Sequence, residues 1–267
     1  MERIGLIAGN RKFPIIFSEA ARKKGYEIVA IAIKGDTSAK INQLADKVYW
    51  LKLSDFSRVF DILNYEGVKK ILMAGQISPW RLFSKEVQKD KSLKEILDSL
   101  ADKRADTIFG AIADKFSERG FEILDSTSLI EEQLPKKGTL TKKQPDFKGW
   151  EDVYFGFELA KKVAFLDIGQ TVAVKQKAIV AIEALEGTDK LIKRAGKIAR
   201  GGITIVKVSK PKQDKRFDIP VVGLSTIKNL IKARAQCLAI EAGKTLFIDK
   251  EISLAFADRH GLAIVAV

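Results

Sequence analysis

Cysteine and histidine are almost absent from this sequence, with one of each, Cys237 and His260, in 267 residues. A lone cysteine excludes an internal disulfide, a multi-thiolate zinc site and a CxxC redox pair. A lone histidine excludes HExxH zinc sites and the His-rich dimetal centres of calcineurin-like phosphoesterases, and it confines any Ser-His-Asp arrangement to His260. That residue, in Ala-Asp-Arg-His-Gly, reads as the end of a helix before a glycine cap, and Cys237 as a strand core residue. Any metal is therefore expected to be a hard cation held by oxygens, with Mg²⁺ on carboxylates and substrate phosphate the natural choice. Long apolar runs are missing as well. Ile28 to Ile33 and Leu262 to Val267 are typical, far short of the roughly 20 residues that span a bilayer. The opening MERIGLIAGN reads as a strand rather than a signal peptide, so a cytoplasmic location is expected. Neither a GxGxxG fingerprint nor a Walker A loop is present.

Apolar residues make up 46% and charged residues 30% of the chain, the balance of a protein that buries a core. The length suits one large domain or two of ordinary size. The formal charge is +13 and uneven: residues 1–131 carry 22 Lys and Arg against 19 Asp and Glu, residues 132–267 carry 25 against 15. Between Lys190 and Arg216 ten basic residues face one acid, Asp214. A field of that sign favours polyanions: nucleic acid, nucleotide phosphates or an anionic membrane face.

Residues 1–131 alternate apolar strands (Ile4 to Ala8, Ile28 to Ile33, Val48 to Leu53, Lys69 to Ala74, Phe121 to Leu124) with amphipathic helices, a pattern that predicts a parallel sheet covered on both faces. Residues 132–150, with two prolines, two glycines and five lysines, read as an exposed linker. A second α/β unit is expected over 151–267, giving two domains with a cleft between them.

Several turns carry residues suited to a phosphorylated ligand. Gly9 and Asn10 follow the first strand, and the next helix start can offer free N–H groups to a phosphate. Gly75 and Gln76 occupy a second strand end, where ligands of doubly wound sheets sit. Trp80, Leu82 and Phe83 beyond it are either core or lipid-facing. Arg104, in Asp-Lys-Arg-Ala-Asp-Thr, is a candidate phosphate clamp or a solvated helix residue. In the second half, Gln170 and Lys175 bracket a strand, while Gly187, Thr188 and Asp189 open a helix at which Thr188 is expected to be the N-cap, with Glu183 and Glu186 just before it. The loop from Lys207 to Pro220 holds Lys207, Lys210, Gln213, Asp214, Arg216 and Asp218. Lysine and arginine there neutralise a pyrophosphate, and a carboxylate holds Mg²⁺ or orients water.

In combination and order, IGLIAGNRKFP, DKRADT, DIGQTVAVK, AIEALEGTDKLIKRAG, KPKQDKRFDIPVVG, AIEAGKTLFIDKE and FADRHGL resemble the UDP-2,3-diacylglucosamine pyrophosphatases of lipid A biosynthesis, the form unrelated to the calcineurin-like enzymes. The resemblance spans nearly the whole chain. It implies a Rossmann-like N-terminal domain and a family-specific C-terminal α/β domain with the substrate between them. It also implies Mg²⁺-dependent hydrolysis of UDP-2,3-diacylglucosamine to UMP and 2,3-diacylglucosamine 1-phosphate, with water attacking the phosphorus nearer the sugar. The family's catalytic aspartate falls in the segment matched by QDKRFD and is assigned to Asp218, with Asp214 the close second. Asp218, Asp214 and Glu186 then form the expected Mg²⁺ set. The family's first turn usually carries a second glycine, and here that position is Arg11, which puts Gly9 and Asn10 in question as ligand residues. A diacyl substrate and a basic face together imply peripheral residence on the anionic inner-membrane surface; pairing as a homodimer is left open.

Two rivals remain at this point. A nicotinamide-dependent Rossmann oxidoreductase requires the missing glycine fingerprint. A nucleic-acid-binding protein is motivated by the charge, yet no aromatic residue interleaves the basic run Lys190 to Arg216. No nucleic-acid partner is expected.

Overall fold

A computed structural model describes residues 2–75, 77, 81, 84–102 and 104–267. The chain divides into two compact units, the first comprising Met1–Glu131 with Asp214–Asp218, the second Glu132–Gln213 with Ile219–Val267.

In the first unit, β1 (Arg3–Ala8), β2 (Glu27–Ile33), β3 (Lys47–Leu51), β4 (Lys70–Ala74) and β5 (Glu122–Ile123) form a sheet in the order β3-β2-β1-β4-β5. Every pairing is parallel. The connecting helices are α1 (Phe13–Lys23), α2 (Arg58–Tyr65), α3 (Lys91–Ser99) and α4 (Ala105–Glu118). A parallel sheet covered on both faces has no wet side, which is why β2 reads EIVAIAI and buries Ile28 through Ile33 without a polar break. One face packs Val29, Ile31 and Ile71 against Leu63, Phe60 and Phe116, whose two rings lie 5.0 Å apart. The chain runs outward from β1 to β3 and then returns to place β4 on β1's other side. That reversal makes the carboxyl ends of β1 and β4 the topological switch point, the usual ligand crevice of such sheets.

The second unit contains β6 (Gly138–Thr139), α5 (Phe147–Phe165), β7 (Thr171–Lys175), β8 (Ala178–Ile182), α6 (Thr188–Ala199), β9 (Thr204–Lys207), β10 (Val221–Val222), α7 (Leu224–Lys232), β11 (Cys237–Ile240), β12 (Leu246–Phe247), α8 (Lys250–Arg259) and β13 (Ala263–Ala266). Its main sheet runs β6-β13-β11-β9-β7-β8, with β13, β11 and β9 parallel and β6, β7 and β8 antiparallel to their neighbours; β10 and β12 pair separately. Alternation of side chains sorts two cores. Val172, Val174, Val206, Cys237, Ala239 and Val265 meet Val153, Ala160 and Val163 of α5. Ala173, Ile205, Leu238, Ile240 and Ile264 meet Leu191 and Ile192 of α6 and Ile227 and Leu230 of α7. Gly156 lets α5 lie close on the sheet, since a Cβ there would stand 2.6 Å from a methyl of Val206. Burial pushes the Cys237 thiol up to about 12, so it is an inert core residue.

Two sequence-based boundaries change. Residues 132–150 are not a linker. Gly138–Thr139 adds a strand to β13, the Thr141 hydroxyl accepts the Ile264 N–H at 2.8 Å, and Asp146 caps α5 by accepting from the Gly149 N–H at 2.7 Å. The lysines there mark the solvent face of a folded edge. The segment Asp214–Asp218, assigned from sequence to the C-terminal domain, packs with the first unit. The Phe217 ring sits 6.0 Å from that of Phe109, and the backbone N–H and hydroxyl of Ser126 both donate to the Lys215 carbonyl, at 2.9 and 2.8 Å.

Candidate functional site

At the switch point of the first unit, the Gly9 N–H donates to the Ala74 carbonyl at 2.8 Å. Gly75 has φ of 82°, and a Cβ on it would lie 2.4 Å from the Asn10 carbonyl oxygen. The turns after β1 and β4 therefore meet backbone to backbone, which brings Gly9, Asn10 and Gly75 together. The Asn10 side-chain oxygen is buried and accepts no hydrogen bond among the described residues, a vacancy suited to a ligand donor. Gln76 lies outside the described residues, as do Trp80, Leu82 and Phe83.

Arg11 has φ of 68°. The turn demands a left-handed residue at that position, which explains why a glycine suits it. Arg11→Gly is expected to raise stability by about 0.5–1 kcal/mol, the left-handed cost less glycine's extra unfolded-state entropy. Urea denaturation of the two proteins measures it, and a loss of stability would mean that the arginine side chain holds the turn.

Arg104 stands at the N-cap position of α4, and its guanidinium bonds the Asp102 carboxylate at 2.8 Å. That bond, the Thr107 hydroxyl at 2.7 Å and the Arg104 N–H at 3.0 Å hold the Asp102 carboxyl far below the ordinary aspartate range. In the segment Asp214–Asp218, the Arg216 guanidinium grips both oxygens of Asp214, with Nε at 3.0 and 3.1 Å and Nη2 at 2.7 Å, and reaches Asp114 at 2.9 Å. Burial pushes the Asp214 carboxyl up, but the Arg216 side chain and backbone N–H outweigh it and the net shift is downward. Asp214 is thus occupied as the anchor of Arg216. Asp218 closes the same turn, its N–H donating to the Asp214 carbonyl at 2.8 Å.

In the second unit the carboxyl ends of β8, β9 and β11 and the start of β7 share one edge. There the Lys207 Nζ donates to the Thr188 hydroxyl at 2.9 Å, and that hydroxyl donates to Oε1 of Glu183 at 2.9 Å. Glu183 is 9% exposed; its other oxygen and the Gln170 side-chain oxygen are buried without a donor among the described residues. Gly169 is forced here, because a Cβ would sit 2.1 Å from the Glu183 carbonyl oxygen. Gly187, with φ of 82°, is the N-cap of α6 and Thr188 its first helical residue, so the threonine hydroxyl serves Glu183 and not the cap. Asp189 lies in the first turn. Lys210 pairs with Asp167 at 2.7 Å, and Gln213 accepts the Lys210 N–H at 2.7 Å.

Glu241 lies on this edge too, a residue that sequence reasoning did not select. It is buried, yet it accepts from Lys244 at 2.8 Å, the Ser209 N–H at 2.8 Å and Lys161 at 3.0 Å. Burial raises its carboxyl, and these donors together carry it below the usual glutamate value. A depressed carboxyl stabilises the fold above its unfolded value of about 4.3 and loses that contribution as pH falls through the folded value. Glu241→Gln is expected to cost about 1–3 kcal/mol at neutral pH and to flatten the acid loss. Urea midpoints at neutral and acid pH test this; parallel acid losses in both proteins would contradict it.

Two sequence assignments fail here. Lys175 lies at the opposite edge, where its Nζ donates to the carbonyls of Ala199 and Gly201, each at 2.9 Å, and so caps the carboxyl end of α6. Glu186 is held by Arg194 and by the Ala184 N–H, the arginine bond chiefly lowering its carboxyl. Asp214, another member of the expected Mg²⁺ set, is held by Arg216 within the first unit. Among the described residues no three Asp, Glu, His or Cys side chains gather to hold a metal ion.

Residues 3–133 match the family described as the LpxI N-terminal domain, and residues 136–265 the LpxI C-terminal domain. The chain belongs to the LpxI family. A curated relative, the UDP-2,3-diacylglucosamine pyrophosphatase LpxI of Caulobacter vibrioides, is 29% identical over 280 aligned positions that cover 100% of this chain and 98% of the relative. The family thus accounts for both units and for the order of their motifs. The biotin carboxylase domain of Hydrogenobacter thermophilus 2-oxoglutarate carboxylase aligns at TM-score 0.28 and 13% identity, over 86% of this chain and 40% of that one. The biotin carboxylase subunit of pyruvate carboxylase aligns at 0.28 and 15%, over 75% and 42%. This chain spans about two fifths of those proteins, and at such scores they carry no argument. No helix among the described residues is long and apolar enough to cross a membrane.

Proposed function

We propose that this LpxI-family protein hydrolyses the diphosphate of UDP-2,3-diacylglucosamine, releasing UMP and 2,3-diacylglucosamine 1-phosphate. The observation that carries this reading is the end-to-end correspondence with a relative bearing that activity in its name, at 29% identity over the whole chain. The local chemistry supports it. Gly9, Asn10 and Gly75 offer a glycine-lined crevice at a switch point for a nucleotide portion. The start of α6, with Lys207 beside Thr188, offers cationic and N–H donors that suit a phosphate. In the Asp214–Asp218 turn, Asp218 takes the role of orienting the attacking water that the family resemblance assigns to it, while Arg216 stays braced by Asp214 and Asp114.

Mg²⁺ enters this proposal with the substrate, since the carboxylates in place do not make a cage for it. A diphosphate carries its own Mg²⁺ and leaves the protein few ligands to supply. Peripheral residence on an anionic membrane belongs to the same reading, because two acyl chains hold the substrate in a bilayer.

The test is direct. Purified protein incubated with UDP-2,3-diacylglucosamine in detergent micelles and Mg²⁺ is expected to release UMP, and to stop when a chelator is added. Absence of UMP from folded protein overturns the reading. Tight Mg²⁺ binding by the substrate-free protein in calorimetry overturns the substrate-borne metal.

A further inference from the structure

The second unit's excess of positive charge falls within one stretch. From Lys190 to Gln236, the residues of this unit (190–213 and 219–236) include eleven lysines and arginines and no aspartate or glutamate. Helices α6 and α7 supply most of them. Both pack on the same face of the sheet, Leu191, Ile192, Ile227 and Leu230 sharing one core. Gly196 lets them come together closely, for a Cβ there would meet the Ala233 Cβ at 2.6 Å. Their outward faces therefore form one layer.

Helical spacing sets the pattern of that layer. Lys190, Lys193, Arg194 and Lys197 repeat at three and four residues and line a shallow groove of about 430 Å³ with Ile198. Lys228, Lys232 and Arg234 continue the exposed charge along and just past α7. Ile198 stands 60% exposed among these lysines, and Leu185, 90% exposed, stands in solvent just before α6 next to Glu186. On the opposite side of the sheet, α5 mixes Glu151 and Glu158 with its lysines.

We infer that the α6–α7 layer is the surface by which the protein docks on an anionic lipid bilayer. The lysines lie over the headgroups, and Leu185 and Ile198 enter the boundary with the acyl chains. Charge complementarity selects an anionic partner. The exposed Ile198 among the cations selects a membrane over a nucleic acid, and neither α6 nor α7 has an aromatic residue on which a base could stack. The inference rests on the reading that the substrate is membrane-held. It adds the face that meets the membrane.

The experiment compares the full-length protein with Lys193→Glu/Lys197→Glu, and with Lys148→Glu/Lys162→Glu on α5 as the control. Co-sedimentation uses vesicles of phosphatidylethanolamine with phosphatidylglycerol, and vesicles of phosphatidylcholine alone. The wild-type protein and the α5 control are expected to bind the anionic vesicles in a salt-dependent manner. The α6 variant should lose about 100-fold or more in affinity, and a separate Ile198→Ser variant should weaken binding at high salt. Turnover of substrate dispersed in detergent should be unchanged in the α6 variant, which also reports that it folds. Equal vesicle binding by the α6 variant and the wild type overturns the docking face, as does binding of duplex DNA by a wild-type protein that ignores vesicles. Failure of the wild-type protein to turn over detergent-dispersed substrate overturns the functional reading instead, and is read without vesicles.

Discussion

Asp218→Asn is expected to lower kcat by about 10³-fold or more while KM and the melting temperature stay near wild type, the signature of losing a group that acts on the attacking water. A parallel variant of its neighbour separates the two roles. Asp214 spends both oxygens on Arg216, at 3.0 Å or less for the closest contact of each. Asp214→Asn removes that anchor and leaves a half-buried guanidinium with Asp114 as its remaining carboxylate. Its expected phenotype is a raised KM with a lowered melting temperature. Steady-state kinetics and thermal denaturation on the two variants separate the roles. An inactive Asp214→Asn protein of normal stability beside a working Asp218→Asn protein would exchange the assignments.

Gly169→Ala should be the most damaging single methyl in the second unit. The added Cβ would sit 2.1 Å from a backbone oxygen, that of Glu183, so no side-chain rotation relieves it. The strand start and the end of β8 must separate, at a cost of about 2–4 kcal/mol and a melting temperature lower by roughly 5–10 °C. The shift falls where Gln170 and Glu183 keep buried, unsatisfied oxygens, so kcat/KM is expected to drop at least tenfold as well. Gly25→Ala is the control. It has φ of 82° but nothing within 4 Å, so only the backbone term of about 1 kcal/mol applies. A Gly169→Ala protein no worse than this control would show that the edge is pliable.

Much of this was legible from the residues because the local signals agree with the fold. The unbroken apolar run Ile28 to Ile33 requires a strand covered on both faces, and β2 is that strand in the middle of a parallel sheet. His260 ends its helix before Gly261, which takes φ of 61° as a cap should. The losses came where the chain's own charge was spent on itself. Lys175 looked like a phosphate ligand because a lysine at a strand end carries no mark of which edge that end faces. The antiparallel course of β7 turns it toward the carboxyl end of α6. Lysine-rich, proline-bearing residues 132–150 resemble slack chain by composition alone, whereas a two-residue strand and one threonine hydroxyl tie them to β13. Glu241 had no local pattern to betray it, since Lys161 and the Ser209 N–H reach it from distant segments. The sign available in advance was only that an acid ends an apolar strand, where solvent is scarce and a carboxylate needs company.

The grouping of Asp214–Asp218 with the first unit has a consequence for synthesis. When residue 131 has left the ribosome, the N-terminal sheet can assemble, but Phe109 lacks Phe217 and Ser126 lacks the acceptor of both its donors. Those partners emerge more than eighty residues later, some 4–17 seconds at ordinary elongation rates of about 5–20 residues per second. A gene fragment cut at the apparent domain border would therefore yield a sticky, unfinished half. The turn that carries Asp214 and Asp218 is set on its platform only in the last stage of translation, when most of the polypeptide already exists.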